Sequence, residues 1–138
     1  MIQENDSIGF IGAGNMAEAL IKGLIKSGLY SPDRLSASDN DIEKLKTKSE
    51  TYKIRSYDSN RDLAQASTII VLSVKPQVIM GVLSEIAGNL TPDHLVISIA
   101  AGISINLIRD MIGMNKPIIR VMPNTPALIQ RGISALAK

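Results

Sequence analysis

The sequence contains no cysteine and no tryptophan, and only one histidine, one phenylalanine and three tyrosines. Without cysteine there are no disulfides and no thiolate metal ligands. The single His94 reads as a surface-loop residue and offers neither an imidazole cluster for a metal nor a Ser–His pair. A net charge of +2 is too small to mark a nucleic-acid surface, and there are few aromatic rings on which bases would stack. No apolar run reaches the roughly 18 residues of a membrane span, and no basic leader precedes an apolar segment. These absences predict a cytoplasmic protein with neither a membrane nor a nucleic-acid partner. Its chemistry must then come from a cofactor or from a very spare site, and no catalytic side chain and no metal ligand stands out.

What is present is a chain of 138 residues, long enough for one compact domain with a real core. The whole of 1–138 is read as one dinucleotide-binding domain. Its organising stretch is Ile8-Gly9-Phe10-Ile11-Gly12-Ala13-Gly14-Asn15-Met16-Ala17, in which an apolar run ends in two spaced glycines and a helical pattern follows at once. Gly12 allows a sharp turn out of the strand, and Gly14 lacks the Cβ that would hold a pyrophosphate off the backbone. Ala17 takes the third small position, where helix and strand must approach closely. The amides and positive dipole end of such a helix attract phosphate by roughly 0.3–1 kcal/mol at exposed sites. A glycine-rich loop without ligand is the plainer alternative, and its setting between strand and amphipathic helix weighs against it.

From there the chain alternates. A strand over 7–11 is followed by a helix over 15–27, with Met16, Leu20, Ile21, Leu24 and Ile25 at helical spacing and Gly28 as its C-terminal stop. A second strand over 34–38 ends at Asp39. The separation of Asp39 from Gly12 exceeds the usual offset of about 20 residues for the acid that binds the adenosine ribose. Asp39 competes between that role and a plain turn, and Asp41 is the better cap for a short helix over 42–48. A carboxylate about 4 Å from a 2′-phosphate costs on the order of 1–4 kcal/mol at effective dielectrics of 80 to 20. Taken alone Asp39 therefore favours NAD(H) over NADP(H), unless it turns away and a cation such as Lys44 compensates.

Further strands are predicted over 52–56, 68–74, 95–99, 116–122 and 132–137. Helices are expected from the Ser59 cap through Ala66, over 78–87 with Val78, Val82, Leu83 and Ile86 on one face, and from the Ser104 cap to about Ile112. The run Thr68 to Val74 is β-branched and almost uncharged, as for the centre of a parallel sheet covered on both faces. Lys75-Pro76-Gln77 must then loop at the strand's carboxyl end, where ligands of open α/β sheets bind. Ala100-Ala101-Gly102 is a second stretch of small residues, either a tight packing turn or a place where a flat ligand approaches the backbone. Asn124 and Thr125, between Pro123 and Pro126, read either as a plain structural turn or as a rigid polar hook that could orient a nicotinamide carboxamide or a small substrate. The class is α/β, a doubly wound and mostly parallel sheet of Rossmann type.

IGFIGAGNMAEALIKGL from Ile8, SVKPQ at Ser73 to Gln77, SIAAGI at Ser98 to Ile103 and RVMPNTPALIQRGISAL from Arg120 occur together and in order. This set resembles the cofactor domain of the pyrroline-5-carboxylate reductases, over almost the whole chain. The resemblance implies hydride transfer from NAD(P)H to the C=N bond of 1-pyrroline-5-carboxylate, giving L-proline in the last step of proline biosynthesis. It implies that Ile11, Gly12, Ala13, Gly14, Asn15 and Met16 bind the pyrophosphate, with Asp39, alone or together with Asp41, at the adenosine ribose and Asn60 near the adenosine portion. Ser73, Val74, Lys75 and Pro76, with Ile99, Ala100 and Ala101, would border the nicotinamide side. It implies NADP(H) as cofactor, with Asp39 arguing for tolerance of NAD(H). The family carries a helical C-terminal domain that forms a homo-oligomer and completes the substrate pocket. That domain does not appear before Lys138, so the expectation is a cofactor domain that is weak or inactive alone. The competing reading is a non-catalytic nicotinamide-dinucleotide-binding module. A reductase of related architecture acting on a hydroxy acid is disfavoured by the MPNTP segment.

Overall fold

The computed structural model describes residues 5–122 and the strand 135–137. Seven strands, β1 (Ile8–Ile11), β2 (Leu35–Ser38), β3 (Arg55–Ser56), β4 (Ile69–Leu72), β5 (Leu95–Ser98), β6 (Ile118–Met122) and β7 (Ala135–Ala137), form one sheet. Their order is β3-β2-β1-β4-β5-β6-β7. All neighbours pair in parallel except β6 and β7, which run antiparallel. Between them lie α1 (Asn15–Lys26), α2 (Ile42–Tyr52), α3 (Asn60–Ala66), α4 (Ile79–Ile86) and α5 (Ile105–Ile112).

The sheet is covered on both faces because its central strands are apolar at every position. Along β1 and β4 successive side chains go to opposite sides. Ile8, Phe10, Ile69 and Val71 join one core with Ala17 and Ile21 of α1 and Leu45 of α2. Ile11, Ile70 and Leu72 join the other, with Leu63 of α3, Ile79, Leu83 and Ile86 of α4 and Ile108 of α5. Each such fully buried aliphatic side chain contributes roughly 1.5–3 kcal/mol. Strand order reverses between β1 and β4, so the crevice outside their carboxyl ends is where an open α/β sheet binds its ligand. Among the described residues no helix is long and apolar enough to cross a membrane.

Several boundaries differ from the sequence reading. Helix α2 runs on to Tyr52, which sequence patterning gave to the third strand, because Lys53 ends it in the left-handed region at φ 61°. Strand β3 shrinks to two exposed residues as a result. On α4 it is Ile79, not Val78, that faces the core, since Pro76–Val78 forms a 3-10 turn and leaves Val78 exposed. The caps proposed at Asp41, Ser59 and Ser104 all accept an amide from the first turn, contributions of about 1 kcal/mol each. Gly28 follows α1 at φ 76°, a conformation that favours glycine.

Candidate functional site

The turn after β1 is built around Gly12. Its φ is 102°, and a Cβ there would stand 2.7 Å from the carbonyl oxygen of Ser73, so both conformation and space require glycine. Its amide donates to the Ser38 carbonyl at 2.8 Å. Ser73, just past β4, donates its amide to the Ile11 carbonyl at 2.9 Å and its hydroxyl to the Gly12 carbonyl at 2.8 Å. The turn is therefore fastened to both neighbouring strands at the point where strand order reverses.

Gly14 is different. Its φ is −77°, it is the N-cap of α1, and no side chain caps the helix. A Cβ at Gly14 would meet nothing within 4 Å among the described residues, so none of them demands glycine there. The amides of Gly14, Asn15 and Met16 have no acceptor among the described residues. Three uncapped donors and an open approach fit an anionic group such as a pyrophosphate.

Asp39 follows β2 and lies against the glycine loop. Its Oδ2 accepts the Ala13 amide at 2.7 Å and its Oδ1 the Asp41 amide at 2.8 Å. Lys44 Nζ stands 3.4 Å from Oδ2, and the Asp39 side chain is only 12% exposed. Burial pushes this carboxyl up, but the Ala13 and Asp41 amides and the Lys44 charge together hold it below its ordinary value. Asp39 neither turns away from the glycine loop nor serves as the helix cap, which is Asp41, accepting the Lys44 amide at 3.0 Å.

Asn60, at the start of α3, accepts the Ser38 hydroxyl at 2.6 Å and donates to Glu85 at 3.1 Å. It thereby ties the carboxyl end of β2 to α4. Val74 is half-buried, while Lys75 and Pro76 are exposed at the carboxyl end of β4. The pairing of Leu72 with Ser98 sets Ile99, Ala100 and Ala101 beside them on the same edge. Ile99 donates its amide to Leu72 at 3.2 Å, and Ala100 donates to Ser98 Oγ at 3.3 Å. Gly102 takes φ 74° at the end of this small-residue stretch. The structure thus brings the glycine loop, Asp39, Asn60, Ser73 to Pro76 and Ile99 to Ala101 to one end of the sheet. Asn124 and Thr125 lie outside the described residues, as does the 132–134 part of the last predicted strand.

Three sets of contacts are not visible in the sequence. Gly9 lies in an apolar run, yet a Cβ there would meet Ser67 Oγ at 2.3 Å and Leu63 Cδ2 at 2.6 Å, so α3 packs directly on the backbone of β1. Ser38 and Glu85 hold Asn60 but carry no motif; only a contact across the sheet reveals them. His94 is half-buried rather than a free loop residue: Nδ1 accepts the Thr91 amide at 2.9 Å, and Nε2 lies 3.0 Å from the Ala64 carbonyl.

Residues 7–102 match the family described as NADP oxidoreductase, coenzyme F420-dependent. The chain is 40% identical over 129 residues to a pyrroline-5-carboxylate reductase of Escherichia coli, covering 94% of this chain and 48% of that protein. Among solved structures, a pyrroline-5-carboxylate reductase from Coxiella burnetii superposes with a TM-score of 0.91 at 36% identity, covering 96% of this chain and 49% of that one. The Plasmodium falciparum pyrroline carboxylate reductase, solved with NADP bound, superposes with a TM-score of 0.83 at 33% identity over 99% of this chain and 50% of that one. The chain spans about half the length of the curated relatives it matches.

Proposed function

This chain belongs to the NADP oxidoreductase, coenzyme F420-dependent, family, and from that premise we propose that it is the cofactor-binding part of a pyrroline-5-carboxylate reductase. The observation that carries the reading is the uncapped set of amides at Gly14, Asn15 and Met16, open to approach and next to the Gly12 turn. These amides hold the pyrophosphate of NADP(H). Ile11, Gly12 and Ala13 shape the turn beneath it, the Gly12 and Ala13 amides being engaged by Ser38 and Asp39. Asp39 and Asn60 flank the adenosine ribose; Ser73, Val74, Lys75, Pro76, Ile99, Ala100 and Ala101 border the nicotinamide. Asn124 and Thr125 orient the carboxamide or the substrate. No proton donor is assigned.

When bound, a reduced nicotinamide would supply a hydride to the C=N carbon of 1-pyrroline-5-carboxylate already protonated on its nitrogen, giving L-proline. A polarised imine needs mainly alignment at near-attack distance, a factor that accounts for much of the barrier reduction in oriented reactions. The chain's own contribution is therefore to bind and orient. Turnover is proposed for a protein with the full length of the relatives, a cytoplasmic homo-oligomer. The test is equilibrium titration of this chain with NADPH and NADH, then assay of the full-length gene product with pyrroline-5-carboxylate. Saturable binding and proline formation are expected. Binding without turnover by the full-length product would favour a non-catalytic module, and absence of binding would overturn the proposal.

A further inference from the structure

We infer that Lys44 sets how well this chain accepts a 2′-phosphorylated dinucleotide, acting through its ion pair with Asp39. The inference rests on the dinucleotide binding proposed above and goes beyond it by naming the residue that decides between the two cofactors.

An acid at the end of the second strand should repel a 2′-phosphate, and one escape is for the carboxylate to rotate away. That escape is costly here. Amides from two separate segments, Ala13 in the glycine loop and Asp41 before α2, hold one oxygen each at 2.7 and 2.8 Å. Rotating the group would strand the part-buried Ala13 amide and give up the bond to the exposed Asp41 amide, which opposes moving its negative charge. Compensation must come from a cation, and Lys44 supplies it at 3.4 Å from Oδ2.

The two members of the pair are not equally accessible. The Asp39 side chain is 12% exposed and that of Lys44 is 38% exposed. Lys44 is thus the more solvent-exposed member of the pair. Lys44 is also placed by the backbone, since its amide donates to the Asp41 cap at 3.0 Å and fixes the first turn of α2. Of the other lysines on α2, Lys48 is engaged by Glu18 and Lys46 is exposed with no salt bridge among the described residues. Asp41 and Glu43, exposed on the same turn, add negative charge. Removing the Lys44 charge would leave a fixed carboxylate with those acids and no cation paired to it.

The test is a fluorescence titration of this chain with NADPH and with NADH, using the wild type, Lys44→Gln, Lys44→Arg and Lys46→Gln. Lys44→Gln should weaken NADPH by on the order of tenfold while NADH changes by less than about twofold, the scale expected for one charge near a phosphate in water. Lys44→Arg should keep the wild-type ratio, and Lys46→Gln, which removes the same charge from the same helix, should leave both affinities near wild type. An unchanged NADPH-to-NADH ratio in Lys44→Gln, or an equal loss in Lys46→Gln, overturns the inference and leaves dinucleotide binding standing. A wild-type chain that binds neither cofactor overturns both.

Discussion

The Ser73 hydroxyl donates to the Gly12 carbonyl at 2.8 Å, and the Ser73 carbonyl stands 2.7 Å from where a Gly12 side chain would begin. One residue at the end of β4 thus both fastens the turn after β1 and forbids a side chain on it. Gly12→Ala should lower stability by about 2 kcal/mol or more, through its φ and the contact with backbone. Chemical denaturation measures it, and an unchanged midpoint would show that the turn is not constrained in this way.

Gly14→Ala should behave in the opposite manner. With φ at −77° and nothing within 4 Å among the described residues, the fold should be unaffected or gain up to about 0.4–1 kcal/mol from a stiffer unfolded chain. Dinucleotide affinity should nevertheless fall by on the order of tenfold, about 1.4 kcal/mol, because the new methyl occupies the approach to the helix amides. A calorimetric titration beside a melting curve separates the two effects; retained affinity would place the ligand elsewhere.

Asp39 should make the fold acid-sensitive in one window. Burial raises its carboxyl, the two amides and Lys44 lower it further, and the net shift is below the ordinary value of 3.8. A depressed folded-state value contributes stability that is present above the unfolded value and disappears as pH falls through the folded one. Stability between pH 7 and 5 should therefore not depend on this group, and its contribution should be lost below about pH 4. Asp39→Asn should flatten that acid limb; a variant as acid-sensitive as the wild type would mean that the carboxylate is not held as described.

Gly9→Ala tests a contact with no bearing on ligand. The added methyl would press on Ser67 Oγ and Leu63, and overpacking of this kind costs about 1–3 kcal/mol. His94→Ala should cost a similar amount, roughly 1–3 kcal/mol for two lost hydrogen bonds. Both variants should bind dinucleotide normally once folded. Loss of affinity in His94→Ala without loss of stability would assign the histidine a role beyond tying Thr91 to Ala64.

Much of this architecture was legible in the chain because local patterns carried it. The β-branched run around Ile69–Leu72, the glycines after Ile11 and the capping residues Asp41, Ser59 and Ser104 each act through neighbours a few positions away. The errors have equally local causes. Nothing in Thr51-Tyr52-Lys53 marks a stop, since Lys53 enters the left-handed region without a glycine, and Pro76 shifts the phase of α4 by opening a 3-10 turn. What could not be read were contacts between distant segments. The Ala13 amide on Asp39, Asn60 between Ser38 and Glu85, and Gly9 beneath Leu63 exist only once the sheet is assembled. The spacing of Asp39 from Gly12 does not show that its carboxylate is bonded to the glycine loop, a contact made by the Ala13 amide.

The most direct test of the account is an amide-resolved NMR titration of this chain with NADPH. Gly14, Asn15 and Met16, whose amides have no acceptor among the described residues, should shift most, while Gly12 and Ala13, already engaged by Ser38 and Asp39, should shift less. Shifts that leave Gly14 to Met16 unmoved at saturating cofactor would contradict it.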